Sequence, residues 1–381
     1  MTTVIPSPSP CDPSSAAAPV PSAVAGQAEF EKEQDSLRRA MPIQRLIGGG
    51  MRYDDAMALH AMSVVGVAWQ DAGRWLGDRN MRIADDAGSV RSARAWYRYA
   101  SACYRFGQSA MPRDSDEKRA LHTLMVDAFA QSAALDEPAT EKLEINWGGG
   151  KLCGWLMRPP AVANPPVVII MGGFDGWREE YEQGAARLVE RGVAAALFDG
   201  PGQGETRLQH GIYLDDNFHR AFSAMADHLL VDPRLGSKIG IWGNSLGGFL
   251  AARTVVADPR FAALCVNGGT VRPIELPERF PRFWEKVEAL TGAGDCKSAR
   301  LIMETLDLAG MLGAITCPLI QLHGTPDTVF LLENARRIHD GAASSDKTLL
   351  IWEDGDHCIY NHSEEKNIVV ADWFASRLAS A

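Results

Sequence analysis

Gly243-Asn244-Ser245-Leu246-Gly247 sets a serine between two glycines, directly after the apolar run Lys238–Trp242 and before the helically spaced stretch Leu246–Ala257. A strand that turns sharply into a helix at a serine lifts the hydroxyl above the sheet edge, and the glycines leave room for the close packing that turn needs. A serine hydroxyl is a poor nucleophile until a base takes its proton. His357, in Gly355-Asp356-His357, follows the apolar run Thr348–Trp352 and can supply that base. The imidazole in turn needs a carboxylate to hold it in one tautomer. Asp327 offers one, in His323-Gly324-Thr325-Pro326-Asp327 after the run Pro318–Leu322. Serine, aspartate and histidine thus come in the chain order nucleophile, acid, base, each on a loop after a strand-like run. His362 competes with His357 but lies nearer the terminal helix, and Asp354 and Asp356 compete with Asp327 from the histidine's own loop.

Attack on a carbonyl develops an oxyanion that needs two donors. The backbone N–H of Leu246, next to Ser245, is one. The other falls to the loop after Val167–Met171, Gly172-Gly173-Phe174-Asp175-Gly176, where either Gly173 or Phe174 can turn an N–H inward. A second glycine-rich stretch, Asp199-Gly200-Pro201-Gly202-Gln203-Gly204-Glu205, reads as a tight loop whose polar residues could line an entrance.

The elements that must position these groups follow from periodicity. Short strand patterns at Lys142–Trp147 and Lys151–Arg158 flank three glycines, as in a hairpin. Strands at Val167–Met171, Val193–Phe198, Lys238–Trp242, Phe261–Val266, Pro318–Leu322 and Thr348–Trp352 alternate with helices at Arg178–Arg191, Asp216–Leu230, Leu246–Ala257, Leu331–Gly341 and Glu364–Leu378. That alternation means a mostly parallel sheet covered on both faces. The region 29–138 is helical in pattern, with a stripe from Met57 through Val65 to Ala72, a helix near Ser89–Phe106 and another capped by Ser115. Residues 270–313 carry no strand; Trp284–Leu290 and Ala299–Leu312 read as helices after Pro273, Pro277 and Pro281. An insertion after a sheet strand lies at the edge where such folds bind ligands, so it is expected to form a lid together with the N-terminal helices. Residues 1–28, rich in Pro, Ser and Ala, are expected to be a disordered tail, and 139–381 the catalytic domain.

The net charge of −10 over 381 residues leaves no basic footprint for nucleic acid. No run of about eighteen apolar residues suggests a membrane span. Seven cysteines without CxxC spacing point away from disulfides and zinc and toward a reducing, cytoplasmic setting. No cofactor and no metal is expected. The expected partner is a small-molecule substrate, with at most a second copy of the chain in a homodimer.

Gly243-Asn244-Ser245-Leu246-Gly247-Gly248, the Asp199–Gly204 loop, the Gly172-Gly173-Phe174-Asp175 turn and the helical N-terminal layer together resemble one group of the α/β-hydrolase superfamily. That group includes dihydroxypseudooxynicotine hydrolase and fungal hydrolases that shorten aromatic polyketides. The resemblance runs from about Tyr53 to the C-terminus. It implies an α/β-hydrolase fold with a helical N-terminal layer and a lid insertion. It also implies a cofactor-free serine triad that cleaves a carbon–carbon bond beside a ketone, or an ester or acyl link, through an acyl-enzyme. A carboxylesterase or an acyltransferase would use the same triad. An additional glutamate of the group maps by resemblance onto Glu275. Among the aromatic residues of the expected lid, Trp284 and Tyr97 are the candidates for substrate contact, and a flat aromatic or polyketide-like substrate would suit them.

Overall fold

The computed structural model describes residue 19, residues 26–276 and residues 282–379. Eight strands form one sheet: β1 Glu141–Trp147, β2 Gly150–Met157, β3 Val167–Met171, β4 Ala194–Asp199, β5 Ile239–Asn244, β6 Phe261–Asn267, β7 Leu319–Gly324 and β8 Lys347–Trp352. Their order across the sheet is β1-β2-β4-β3-β5-β6-β7-β8. β1 and β2 form the expected hairpin, β2 pairs antiparallel with β4, and every pairing from β4 to β8 is parallel.

The central strands are apolar on both faces because both are covered. Val167, Ile169 and Met171 of β3 pack with the helices His219–Leu230 and Leu246–Ala257. Val168 and Ile170 point the other way, into a core shared with the helices Asp116–Ala134 and Ser363–Leu378. The N-terminal helices build a third core of their own around Leu46, Leu59, Trp69, Leu76 and Phe106. No helix among the described residues is long and apolar enough to cross a membrane.

Local chemistry accounts for where the elements depart from expectation. The stripe from Met57 to Ala72 is two helices, Tyr53–Val64 and Trp69–Asp85, because Gly66 takes φ +89° between them and Val67 N–H returns to Met62 O at 3.0 Å. Ser115 does cap its helix, accepting from Lys118 N at 3.1 Å. The helix expected over Arg178–Arg191 opens with a tight turn at Arg178–Tyr181 before Glu182–Val189. In the insertion, Phe283–Thr291 is helical, but the next helix, Cys296–Thr305, stops short of Leu312. Leu306 and Leu308 turn into the core there, and Leu308 N–H bonds Val271 O at 3.1 Å. Asp199–Glu205 is less of a loop than expected: Asp199 closes β4 and Gly204 already opens the short helix Gly204–Leu208. The first helix begins at Gln27, inside the stretch read as tail; the rest of that stretch, except Pro19 and Gly26, and Pro277 and Pro281, lie outside the described residues.

Candidate active site

Ser245 stands between β5 and the helix Leu246–Ala257 with φ +59° and ψ −126°. A non-glycine residue pays for such a backbone, and it persists only where the surroundings over-determine it. Here Ser245 N–H bonds Asn267 O at the end of β6, at 2.8 Å, and Ser245 O accepts from Gly248 N–H at 2.9 Å. A side chain at Gly243 would collide with the Gly247 carbonyl, and one at Gly247 with the Gly172 carbonyl, so both glycines are dictated by close backbone approach.

His357 follows β8, and its Nε2 lies 2.8 Å from Ser245 Oγ. Its Nδ1 lies 2.8 Å from Asp327 Oδ2. Asp327 follows β7 and is buried; its other oxygen, Oδ1, accepts the backbone N–H of Val329 at 2.7 Å and of Phe330 at 3.2 Å. Burial alone would raise the Asp327 pKa, but His357 and these donors pull it below the usual carboxylate range. Burial likewise lowers the proton affinity of His357, and the Asp327 carboxylate overrides that and raises it.

The competing residues are spent elsewhere. His362 Nε2 pairs with the exposed Asp354 at 3.0 Å, and Asp356 Oδ1 accepts the Tyr360 N–H at 2.5 Å, capping its own loop.

Gly173 lies against the serine. A Cβ built there would sit 2.8 Å from Ser245 Cβ and 3.1 Å from Leu246 N, so the Gly173 backbone and the Leu246 N–H flank one small space beside Oγ. Gln203 pins this loop from beneath, its amide donating to Gly172 O at 2.6 Å and Gly173 O at 3.0 Å. Phe174 meets Phe283 of the insertion edge to face at 5.8 Å, and Asp175 pairs with Lys286 at 2.6 Å, so the helix Phe283–Thr291 packs over the loop.

The structure gathers Ser245, His357, Asp327, Gly173, Phe174 and Leu246 at one place; the three substrate-contact candidates have the following partners. Trp284 packs on Phe283 and is faced by the Arg300 guanidinium at 5.2 Å; Phe283 is the ring that reaches the site loop. Tyr97 donates to Asp85 at 2.8 Å in an exposed pair. Glu275 is exposed and bonds Arg337 at 3.2 Å, which commits its carboxylate to the surface.

The Asp199–Glu205 stretch is buried. It closes a buried charge cluster behind the loop: Arg178 Nε bonds Glu179 at 2.7 Å, its Nη2 bonds Glu205 at 2.5 Å, and Asp199 accepts Arg178 N–H at 3.1 Å and Glu205 N–H at 3.0 Å. The sequence singles out this polar stretch after an apolar strand, but not the partners it finds: Arg178, itself bonded to Glu179, for Asp199 and Glu205, and the Gly172–Gly173 loop for Gln203. Cys153, Glu205 and His210 also approach one another as metal ligands might. The two Glu205 oxygens, however, already accept from Lys142 at 2.8 Å and from Arg178, so the Glu205 charge is already neutralised by two cations.

A mixed sheet of this order, with a strained serine after its central strand and an imidazole and carboxylate on two later loops, defines the α/β-hydrolase class. The comparisons agree. The family described as serine aminopeptidase, S33, matches residues 163–293. The chain is 30% identical over 251 residues to 2,6-dihydropseudooxynicotine hydrolase of Paenarthrobacter nicotinovorans, covering 65% of this chain and 67% of that one. It is 31% identical over 225 residues to hydrolase LUC6 of Fusarium sp. (55% and 53% covered) and 32% over 216 residues to 20-hydroxy-prefusarin hydrolase FUS2 of Gibberella moniliformis (52% and 51%). It therefore spans about half the length of these fungal relatives. The crystal structure of 2,6-dihydroxy-pseudo-oxynicotine hydrolase superposes with a TM-score of 0.79 at 27% identity, over 88% of this chain and 95% of that one. The chain belongs to the α/β-hydrolase superfamily, and it is a hydrolase.

Proposed function

We propose that this chain is a serine hydrolase that cleaves the bond between an acyl group and its neighbour through an acyl-enzyme, and that the neighbour is a carbon leaving as an enolate or phenol. The reading is carried by one observation: Ser245 Oγ, His357 and Asp327 form an unbroken relay of two 2.8 Å contacts, with the Gly173 loop and Leu246 N–H beside Oγ. In this scheme Oγ attacks the substrate carbonyl while His357 Nε2 takes its proton. The oxyanion rests on the Leu246 N–H and on the N–H of Gly173 or Phe174. Collapse breaks the bond to the leaving carbon, which receives the proton from His357. Water, deprotonated by the same nitrogen, then releases the acyl group as an acid and restores Ser245.

The carbon leaving group is supported by likeness to relatives named for pseudooxynicotine and prefusarin substrates. Residues 29–138 and 270–313 would enclose the substrate, the second through Phe283 and Lys286 on the site loop. The test pairs fluorophosphonate labelling, read by mass spectrometry at Ser245, with matched acylphenols, β-diketones and aryl and alkyl esters. Labelling at Ser245 and a higher kcat/KM on the ketones is expected. Labelling elsewhere overturns the nucleophile, and preference for esters makes the protein an esterase instead. No labelling of Ser245→Ala and a loss of more than about a thousandfold in kcat should accompany the first result.

A further inference from the structure

We infer that the N-terminal helices act on the reaction itself by fixing the loop that carries His357, and that Tyr360 is the positioning residue through which they do so. The inference rests on the reading of His357 as the base.

The loop is strained, although Asp356 at its start braces it by accepting the N–H groups of Tyr360 and Asn361 on Oδ1 and of Ile359 on its carbonyl. Cys358 and Ile359, the two residues after His357, have φ of +59° and +58°. Two successive L-residues in the left-handed region, one of them β-branched, need outside restraint. The sheet side provides part of it: Cys358 O accepts from Asn267 Nδ2 at 3.0 Å and from Lys366 Nζ at 3.1 Å.

Further restraint comes from the helical layer and converges on Tyr360. The Tyr360 hydroxyl donates to Glu180 Oε1 at 2.8 Å. The other Glu180 oxygen pairs with Arg105 Nη1 at 2.8 Å, with both side chains buried. Arg105 belongs to the helix Val90–Gly107, lies on the Phe106 ring at 4.0 Å and donates to Gly49 O. The helix Ile43–Gly48 touches the same loop directly. A side chain at Gly48 would collide with Ser363 Oγ and come within 3.1 Å of Tyr360 O, and the Arg45 guanidinium stands 5.4 Å from the Tyr360 ring. Burial, and then Glu180, hold the phenol protonated and so keep it a donor.

A buried charged pair could serve stability alone. Its placement says more: the chain from Arg105 to Glu180 to Tyr360 ends three residues from His357, on a loop strained between the base and its anchor. Small displacements of a catalytic group are costly in rate even when the fold survives.

The test uses the full chain and Tyr360→Phe, which removes only the hydroxyl. Three readouts are taken: melting temperature, the rate of fluorophosphonate labelling across pH, and the low-field proton resonance of the His357–Asp327 bond. Labelling is expected to slow by about ten- to a hundredfold, with the resonance broadened and the fold retained. Gly48→Ala, which presses on the loop from the helical side without touching the phenol, should act in the same direction and decides the matter should the first variant unfold. Wild-type labelling and an unchanged resonance in both variants overturn the inference. The resonance reads the base whether or not Ser245 is the nucleophile, so a failure of the proposed function is seen separately, as absent labelling in the wild-type chain.

Discussion

Replacing Asp327 by asparagine removes one charge and should disable the relay by geometry. Asp327 Oδ1 is held by the N–H groups of Val329 and Phe330, at 2.7 and 3.2 Å. An asparagine keeps those two bonds only with its carbonyl oxygen on that side. Its NH2 group then faces His357 Nδ1, which must become an acceptor, so the imidazole proton moves to Nε2. Nε2 points at Ser245 Oγ from 2.8 Å and can no longer accept its proton. Wrong-tautomer substitutions of this kind cost on the order of a thousand- to ten-thousandfold in kcat, equivalent to about 4–5.5 kcal/mol of transition-state stabilisation. The pH dependence adds a second reading. Activity requires neutral His357, and Asp327 raises its pKa, so the acid limb of kcat/KM in the wild-type chain should lie above the ordinary histidine value. Removing the carboxylate takes away what raises it, so the residual activity of Asp327→Asn should show its acid limb at lower pH. Steady-state kinetics on an acylphenol or aryl ester between pH 5 and 10 measures both, within the usual range about histidine's pKa of ~6.5. Asp354→Asn, at an exposed pair with His362, is the control and should stay within about twofold. A loss of less than about tenfold in Asp327→Asn, or a larger loss in Asp354→Asn or Asp356→Asn, would refute the assignment.

Three further outcomes are expected. Gly173→Ala puts a methyl 2.8 Å from Ser245 Cβ and 3.1 Å from Leu246 N, so it should cut kcat by about a hundredfold or more with the melting temperature little changed; a kcat near wild type would show that this loop does not hold the oxyanion. Gln203→Leu leaves the Gly172 and Gly173 carbonyls without their donor and should lower kcat by about tenfold while KM stays near its wild-type value, whereas a change in KM alone would assign Gln203 to substrate binding. Arg178→Met strands Glu179, Asp199 and Glu205 in the interior and should destabilise the chain by about 3–5 kcal/mol in urea titration; a loss below about 1 kcal/mol would mean the cluster is compensated by other groups.

The chemistry at the sheet edge was legible in the chain because it depends on local order. A nucleophile elbow is a strand, a turn and a helix in succession, so Gly243 to Gly247 announces itself within a dozen residues. The alternation of strands and helices sets the parallel sheet in the same way, since both faces of β3 to β7 must be apolar over short runs. Asp327 and His357 are separated by 30 positions, yet each is readable as the residue just past a strand. Breaks that hinge on one backbone torsion, such as Gly66 or the stop after Thr305, were less visible because helical periodicity continues across them.

What the chain order could not decide is which side chains from distant segments meet. Trp284 and Tyr97 read as site aromatics by their place along the chain; the contact with Phe174 that chain order did not single out is made by Phe283, one residue from Trp284 on its helix. Helical neighbours point about 100° apart, so a one-residue difference reassigns a face only after the helix has docked. Folding sets Asp327 against His357 while Asp354 and Asp356 find other partners, and it brings Gln203 across to β3's loop, 30 residues away in sequence. Arg105, Glu180 and Tyr360 come from three separate parts of the chain and carry no common motif. They pair because a buried charge must find its counter-charge wherever packing puts one, and that is a property of the folded molecule alone.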